Sequence, residues 1–120
     1  MAAPNIASIT TITGKTIGVG IGTTATVGIL TCPSNKVLKI NSINVANIDG
    51  TSSADVSVSF YDSSATTAYK LAHTITVPAD ASLIVVGKDN QIYLEESDEI
   101  RAQASAINDL DIVVSYEEVS

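Results

Sequence analysis

The run Tyr69-Lys70-Leu71-Ala72-His73-Thr74-Ile75-Thr76-Val77, closed by Pro78-Ala79-Asp80-Ala81, sets the pattern that decides the fold. Behind it come residues 82–87, the turn Lys88-Asp89-Asn90, the run Gln91-Ile92-Tyr93-Leu94-Glu95, residues 99–106 and residues 110–119. Glu96-Ser97-Asp98 and Asn108-Asp109 separate the later runs. Short apolar-alternating segments spaced by turn signals predict an all-β chain, an antiparallel sandwich or barrel. Such a chain spends nearly every residue on building sheets.

Upstream the same reading holds, with one change of character. Val56, Val58 and Phe60 alternate with Ser57, Ser59 and Tyr61, which predicts one buried and one wet face. In residues 36–48, Leu38 and Ile40 share one parity and Ile43 and Val45 the other, which predicts a β-bulge near Asn41-Ser42. Residues 1–22 differ: Ile6, Ile9 and Ile12 lie among Ser and Thr, and Ile17-Gly18-Val19-Gly20-Ile21-Gly22 places three apolar side chains on one face and none on the other. This segment reads as an extended N-terminal arm or edge ribbon, followed by a strand over about residues 25–31 and a sandwich domain over residues 23–120. Its glycines lack G-x-G-x-x-G spacing and no amphipathic helix follows, so a phosphate-binding loop is excluded. Residues 95–106 contain good helix formers, yet Ile100, Ala102, Ala104 and Ala106 keep strict period two and predict a strand.

At 120 residues the chain is one domain. Ile, Val and Thr supply 40 of those residues, an excess that suits pleated sheets. Aromatics are 4% and Trp is absent, which disfavours stacking surfaces for sugars or bases. A net charge of −7 argues against nucleic acid as a partner. The charge is uneven: residues 1–48 carry Lys15, Lys36 and Lys39 and no acid, while residues 49–120 carry all 13 acids. That asymmetry fits a solubilising acidic body, or a positive arm laid on the acidic body of a neighbour. The N-terminus lacks a basic start and the longest apolar run is short, so neither a signal peptide nor a membrane partner is expected.

Candidate chemistry is thin. Cys32 is the only cysteine and His73 the only histidine, which leaves no disulfide, no activated thiol pair and no metal set; no cofactor is expected. His73 shares parity with Leu71 and Ile75 and is expected on an apolar face. Asp89, Glu95, Glu96, Asp98, Glu99, Asp109 and Asp111 gather in turns and strand ends, where they read as solvated acids rather than a calcium loop or a glycosidase pair. No G-x-S-x-G elbow occurs. Tyr61, Tyr69, Tyr93 and Tyr116 could anchor contacts, and Tyr61 is expected to face outward.

Several stretches look familiar together. Met1-Ala2-Ala3-Pro4-Asn5-Ile6, Lys36-Val37-Leu38-Lys39-Ile40-Asn41-Ser42-Ile43, Val77-Pro78-Ala79-Asp80-Ala81-Ser82-Leu83, Ile92-Tyr93-Leu94-Glu95-Glu96 and Ser115-Tyr116-Glu117-Glu118-Val119-Ser120 resemble small virion structural proteins of tailed bacteriophages, especially those of marine bacteria and cyanobacteria. The likeness covers most of the chain. It implies a jelly-roll β-sandwich that works by assembly, with no active-site residues. Glu96-Ser97-Asp98 departs from the pattern, which has Glu-Gly-Asp, and serine tolerates positive φ less well than glycine does.

The expected function is therefore a non-enzymatic virion component, a capsid decoration or accessory protein, with neck or tail placement as a variant. It is made in the host cytoplasm. Its partners would be further copies of itself, in a small oligomer such as a trimer, and other virion proteins such as the major capsid protein. The expected intersubunit contacts are Ile6, Ile9, Ile12, Lys15, Ile17, Val19, Ile21, Lys36, Lys39 and Tyr61, with the three lysines facing acidic turns. The alternative is a glycan- or receptor-binding module of a tail fibre or adhesin, with a site near Asp89, Asp98 and Asp109.

Overall fold

A computed structural model describes residues 11–120. Among these described residues nine strands form: β1 Ile12–Gly20, β2 Val27–Thr31, β3 Val37–Asn47, β4 Ala54–Asp62, β5 Thr67–Val77, β6 Ser82–Val86, β7 Ile92–Leu94, β8 Glu99–Ala104 and β9 Leu110–Val119. One sheet runs β1-β9-β3, with β6 and β7 both on the far side of β3; the other runs β2-β8-β4-β5. All pairings are antiparallel. β6 lies along Ile43 to Ala46 and β7 along Leu38 to Ile40, so together they act as one interrupted strand. Each sheet then has four strand positions, in the two-Greek-key order of a jelly roll.

The inner faces close over an aliphatic core. Leu38, Ile40, Ile43 and Val45 of β3 and Leu110, Ile112 and Val114 of β9 meet Val56 and Val58 of β4 and Ile100, Ala102 and Ala104 of β8. Aromatics stay at its margin, where Phe60 and Tyr116 are half-buried. β-branched side chains fill such a core because they are stiff and interdigitate on pleated surfaces. The parity switch in β3 is a bulge: its register with β9 shifts between Ile40 and Ser42. Residues 99–104 form a strand, with Ile100, Ala102 and Ala104 inward.

Three details differ from the expectation. Ser57 and Ser59 are buried, not wet, because β4 lies between β5 and β8 and the short serines are shielded by longer neighbours such as Lys70 and Arg101. His73 is exposed rather than on an apolar face. Between Ile75 and Ala72 the β5 register slips against β4, so His73 and Thr74 together oppose Ser57 and the period-two rule breaks. The third concerns the boundary placed after residue 22. Residues 12–20 pair continuously with β9 from Ile12↔Val119 to Gly20↔Asp111 and belong to the sandwich as its edge strand.

Each end of the sandwich is tied by one buried polar side chain. Asn47 donates through Nδ2 to the Ser52 and Val77 carbonyls, both at 2.9 Å, and accepts the Asp49 N–H at 2.8 Å, joining the two sheets. At the other end Asp98 accepts the N–H groups of Ser63 at 3.0 Å and Glu95 at 3.1 Å. Its own carbonyl receives the Cys32 N–H. Buried polar groups are kept only when bonded in this way.

Candidate assembly surfaces

The residues expected at subunit contacts fall in several environments. Ile6 and Ile9 lie outside the described residues. Ile12 is 58% exposed and faces outward from sheet β1-β9-β3. Ile17 and Val19 are half-buried against the core, and Ile21 is 1% exposed within it. The apolar face of the glycine-alternating stretch thus serves its own sandwich. Lys15 and Lys36 converge on Glu118 of the same chain, at 3.1 and 3.2 Å. Within the chain, Glu118 is the charge partner of both. The Lys15 ammonium, backed by Lys36, holds the Glu118 carboxyl below the usual carboxylate range. Lys39 is half-buried on β3, in register with Glu117 and Tyr93. Tyr61 is half-covered by Arg101, whose guanidinium sits 3.7 Å from the ring centroid and pairs with Glu99 at 3.1 Å.

Part of the outer face of sheet β1-β9-β3 carries little charge. One rung crosses the whole sheet as Gly18, Val113, Asn44 and Ile84. Val113 is 40% and Ile84 69% exposed. The neighbouring rungs are Thr16, Ser115 and Ser42, and Gly20, Asp111, Ala46 and Ser82. Asp111 is the single charge among these residues. Ile48 and Ile107, both 57% exposed, stand on loops held together by the Ile48 N–H bond to the Asp109 carbonyl. None of these apolar residues was expected from the sequence. Residues 82–86 are apolar almost without interruption, so no parity singled out Ile84. Ile107 lies in a turn, where periodicity has no meaning.

Other groups are committed to structure. Burial pushes the Cys32 thiol up to about 11, and its Sγ lies 3.2 Å from the Lys36 carbonyl. Among the described residues no group of three or more His, Cys, Asp or Glu side chains could hold a metal ion. Asp98 spends both oxygens on backbone N–H groups, and Asp49 is lowered by the Thr51 N–H. A cleft on the outer face of sheet β2-β8-β4-β5 is lined by Thr24, Asp55, Ser57, Thr74, Gln103 and Ser105. Its polar atoms bond internally: Thr76 Oγ1 donates to Asp55, the Thr74 N–H to Ser57, and Gln103 to the Thr24 carbonyl.

No protein-family model matches the chain, and no curated protein matches it. Solved structures do. A chain of the virus-like particle of Macrobrachium rosenbergii extra small virus, from the giant freshwater prawn, is 13% identical with a TM-score of 0.44, covering 98% of this chain and 85% of that one. A chain of the acidic-stable capsid of Helicobacter pylori bacteriophage KHP30 is 12% identical with a TM-score of 0.54, covering 94% of this chain and 90% of that one. The second likeness shows a shared fold from end to end.

Proposed function

We propose that this chain is a non-enzymatic structural protein of a virion, a capsid decoration or accessory protein that works by assembly. The observation that carries the reading is the near-complete overlap with a phage capsid chain, 94% of one and 90% of the other. The exposed Val113 and Ile84 on an uncharged rung of the sheet, with the exposed Ile48 and Ile107 on the loops after β3 and before β9, support it, since apolar side chains where charge is sparse favour contact over solvation. Ten residues precede Thr11 in the sequence, and a stretch of that length could span up to roughly 33 Å. Many weak contacts repeated on a lattice then hold what one contact would not. A neck or tail position uses the same surfaces.

The test is light scattering coupled to gel filtration on the purified chain across a wide concentration range, with electron microscopy of the largest species. A discrete oligomer or shell fragment is expected. A monomer up to millimolar concentration, with no binding to a capsid lattice, would overturn the reading.

A further inference from the structure

The four sheet edges left open among the described residues are not alike. β5 carries two register slips against β4 and a Thr74 at φ 46°, which bends the strand away from any partner. β2 is five residues long and shifts register between Gly28 and Leu30. The edge beside β3 is split into β6 and β7, of five and three residues. These are the usual defences against edge pairing. β1 has none of them. It is nine residues long, pairs with β9 without a slip, contains no proline, and among the described residues has no strand on its other side.

The register also fixes which backbone groups face the open side. Thr11 and Ser120 exchange two hydrogen bonds at 3.0 Å, and the Ile21 N–H donates to the Leu110 carbonyl at 2.9 Å. Antiparallel bonding alternates along a strand, so the odd-numbered residues bond β9 and the even-numbered ones turn outward. The outward set is Ile12, Gly14, Thr16, Gly18 and Gly20. Three of the five are glycines, and no glycine of the described chain has a positive φ. A Cβ at Gly14 would meet nothing within 4 Å, and one at Gly18 would only touch Val113 at 3.9 Å. Nothing among the described residues requires glycine at these two positions, although glycine weakens a strand.

We infer that the open edge of β1 is a docking edge for a second copy of this chain, β1 against β1 antiparallel, about a two-fold axis at Thr16. The inference rests on the assembly reading above and names its contact. With Thr16 opposite its counterpart, Gly14 falls opposite Gly18 and Ile12 opposite Gly20, so every outward backbone group finds an outward group. Roughly ten hydrogen bonds follow from the alternation rule. No other register matches all five residues. Charge permits the match, because Lys15 is the only charged residue of β1 and is already neutralised by Glu118 of its own chain.

Thr16 gives a direct test. Its N–H points away from β9, so Thr16→Pro removes a donor from the open edge and none from the sandwich. Thr16→Glu and Thr16→Lys each place like charges face to face at the axis, whereas an equimolar mixture of the two places opposite charges there. Association would be measured by sedimentation velocity on the full-length chain, with thermal unfolding as the folding control. Each single variant should associate at least about tenfold more weakly than wild type. The Glu and Lys variants mixed at low salt should regain most of the loss. Wild-type association by Thr16→Pro, or no recovery on mixing, would overturn the β1 contact while leaving assembly intact. So would loss of association on removing residues 1–10 with the Thr16 variants unaffected, since the arm would then be the occupant. A wild-type monomer at every concentration would overturn the β1 contact, and only if that monomer also fails to bind a capsid lattice would the assembly reading fall with it.

Discussion

Ser97 sits at φ 71°, a conformation in which a side chain costs roughly 1–2 kcal/mol and glycine costs nothing sterically. The turn is kept because its neighbours pull it in: the Ser97 N–H donates to the Cys32 carbonyl, and Asp98 beside it is bonded on both oxygens. Ser97→Gly should therefore raise stability by about 1 kcal/mol, the relief of strain outweighing glycine's greater unfolded freedom. Denaturant titration would show it as a higher midpoint with an unchanged slope. Glu118 makes a second residue-scale prediction. Its carboxyl is held below its ordinary value of 4.5, chiefly by Lys15. Stability from a lowered acid is present above the unfolded value and is lost as pH falls through the folded one. Wild type should exceed Glu118→Gln by no more than about 1 kcal/mol at pH 7, because the pair is near the surface. The gap should close below pH 4.5, which thermal unfolding across pH 3–7 would record.

At the scale of the element, β1 is where sequence and structure part most clearly. The period-two pattern of Ile17, Val19 and Ile21 was legible as one apolar face, but alternation cannot say whose core that face fills. Pairing with β9, nearly a hundred residues away in the chain, answers it, and no local signal encodes that distance. The β3 bulge was legible because a bulge moves the apolar side chains to the other parity. The β5 slips were not, because His73 and Thr74 are polar and exposed and leave the apolar pattern unbroken. Among the expected contact residues, the lysines were legible as a charge asymmetry, and their convergence on Glu118 was not. Removing residues 1–22 would strip Ile17, Val19 and Ile21 from the core and bare the edge of β9. That truncation should destabilise the sandwich by more than about 3 kcal/mol. Chemical denaturation of the full and the truncated chain would record the loss as a lower midpoint.

For the whole molecule, the pairing of Thr11 with Ser120 has a mechanical consequence. Force applied between those two residues opens the β1–β9 ladder from its end, one bond at a time, as a zipper opens. Force applied along β1 through a neighbour on its other edge would instead load many bonds at once, in shear. The sandwich is thus weakest when peeled from its own end and strongest when pulled lengthwise.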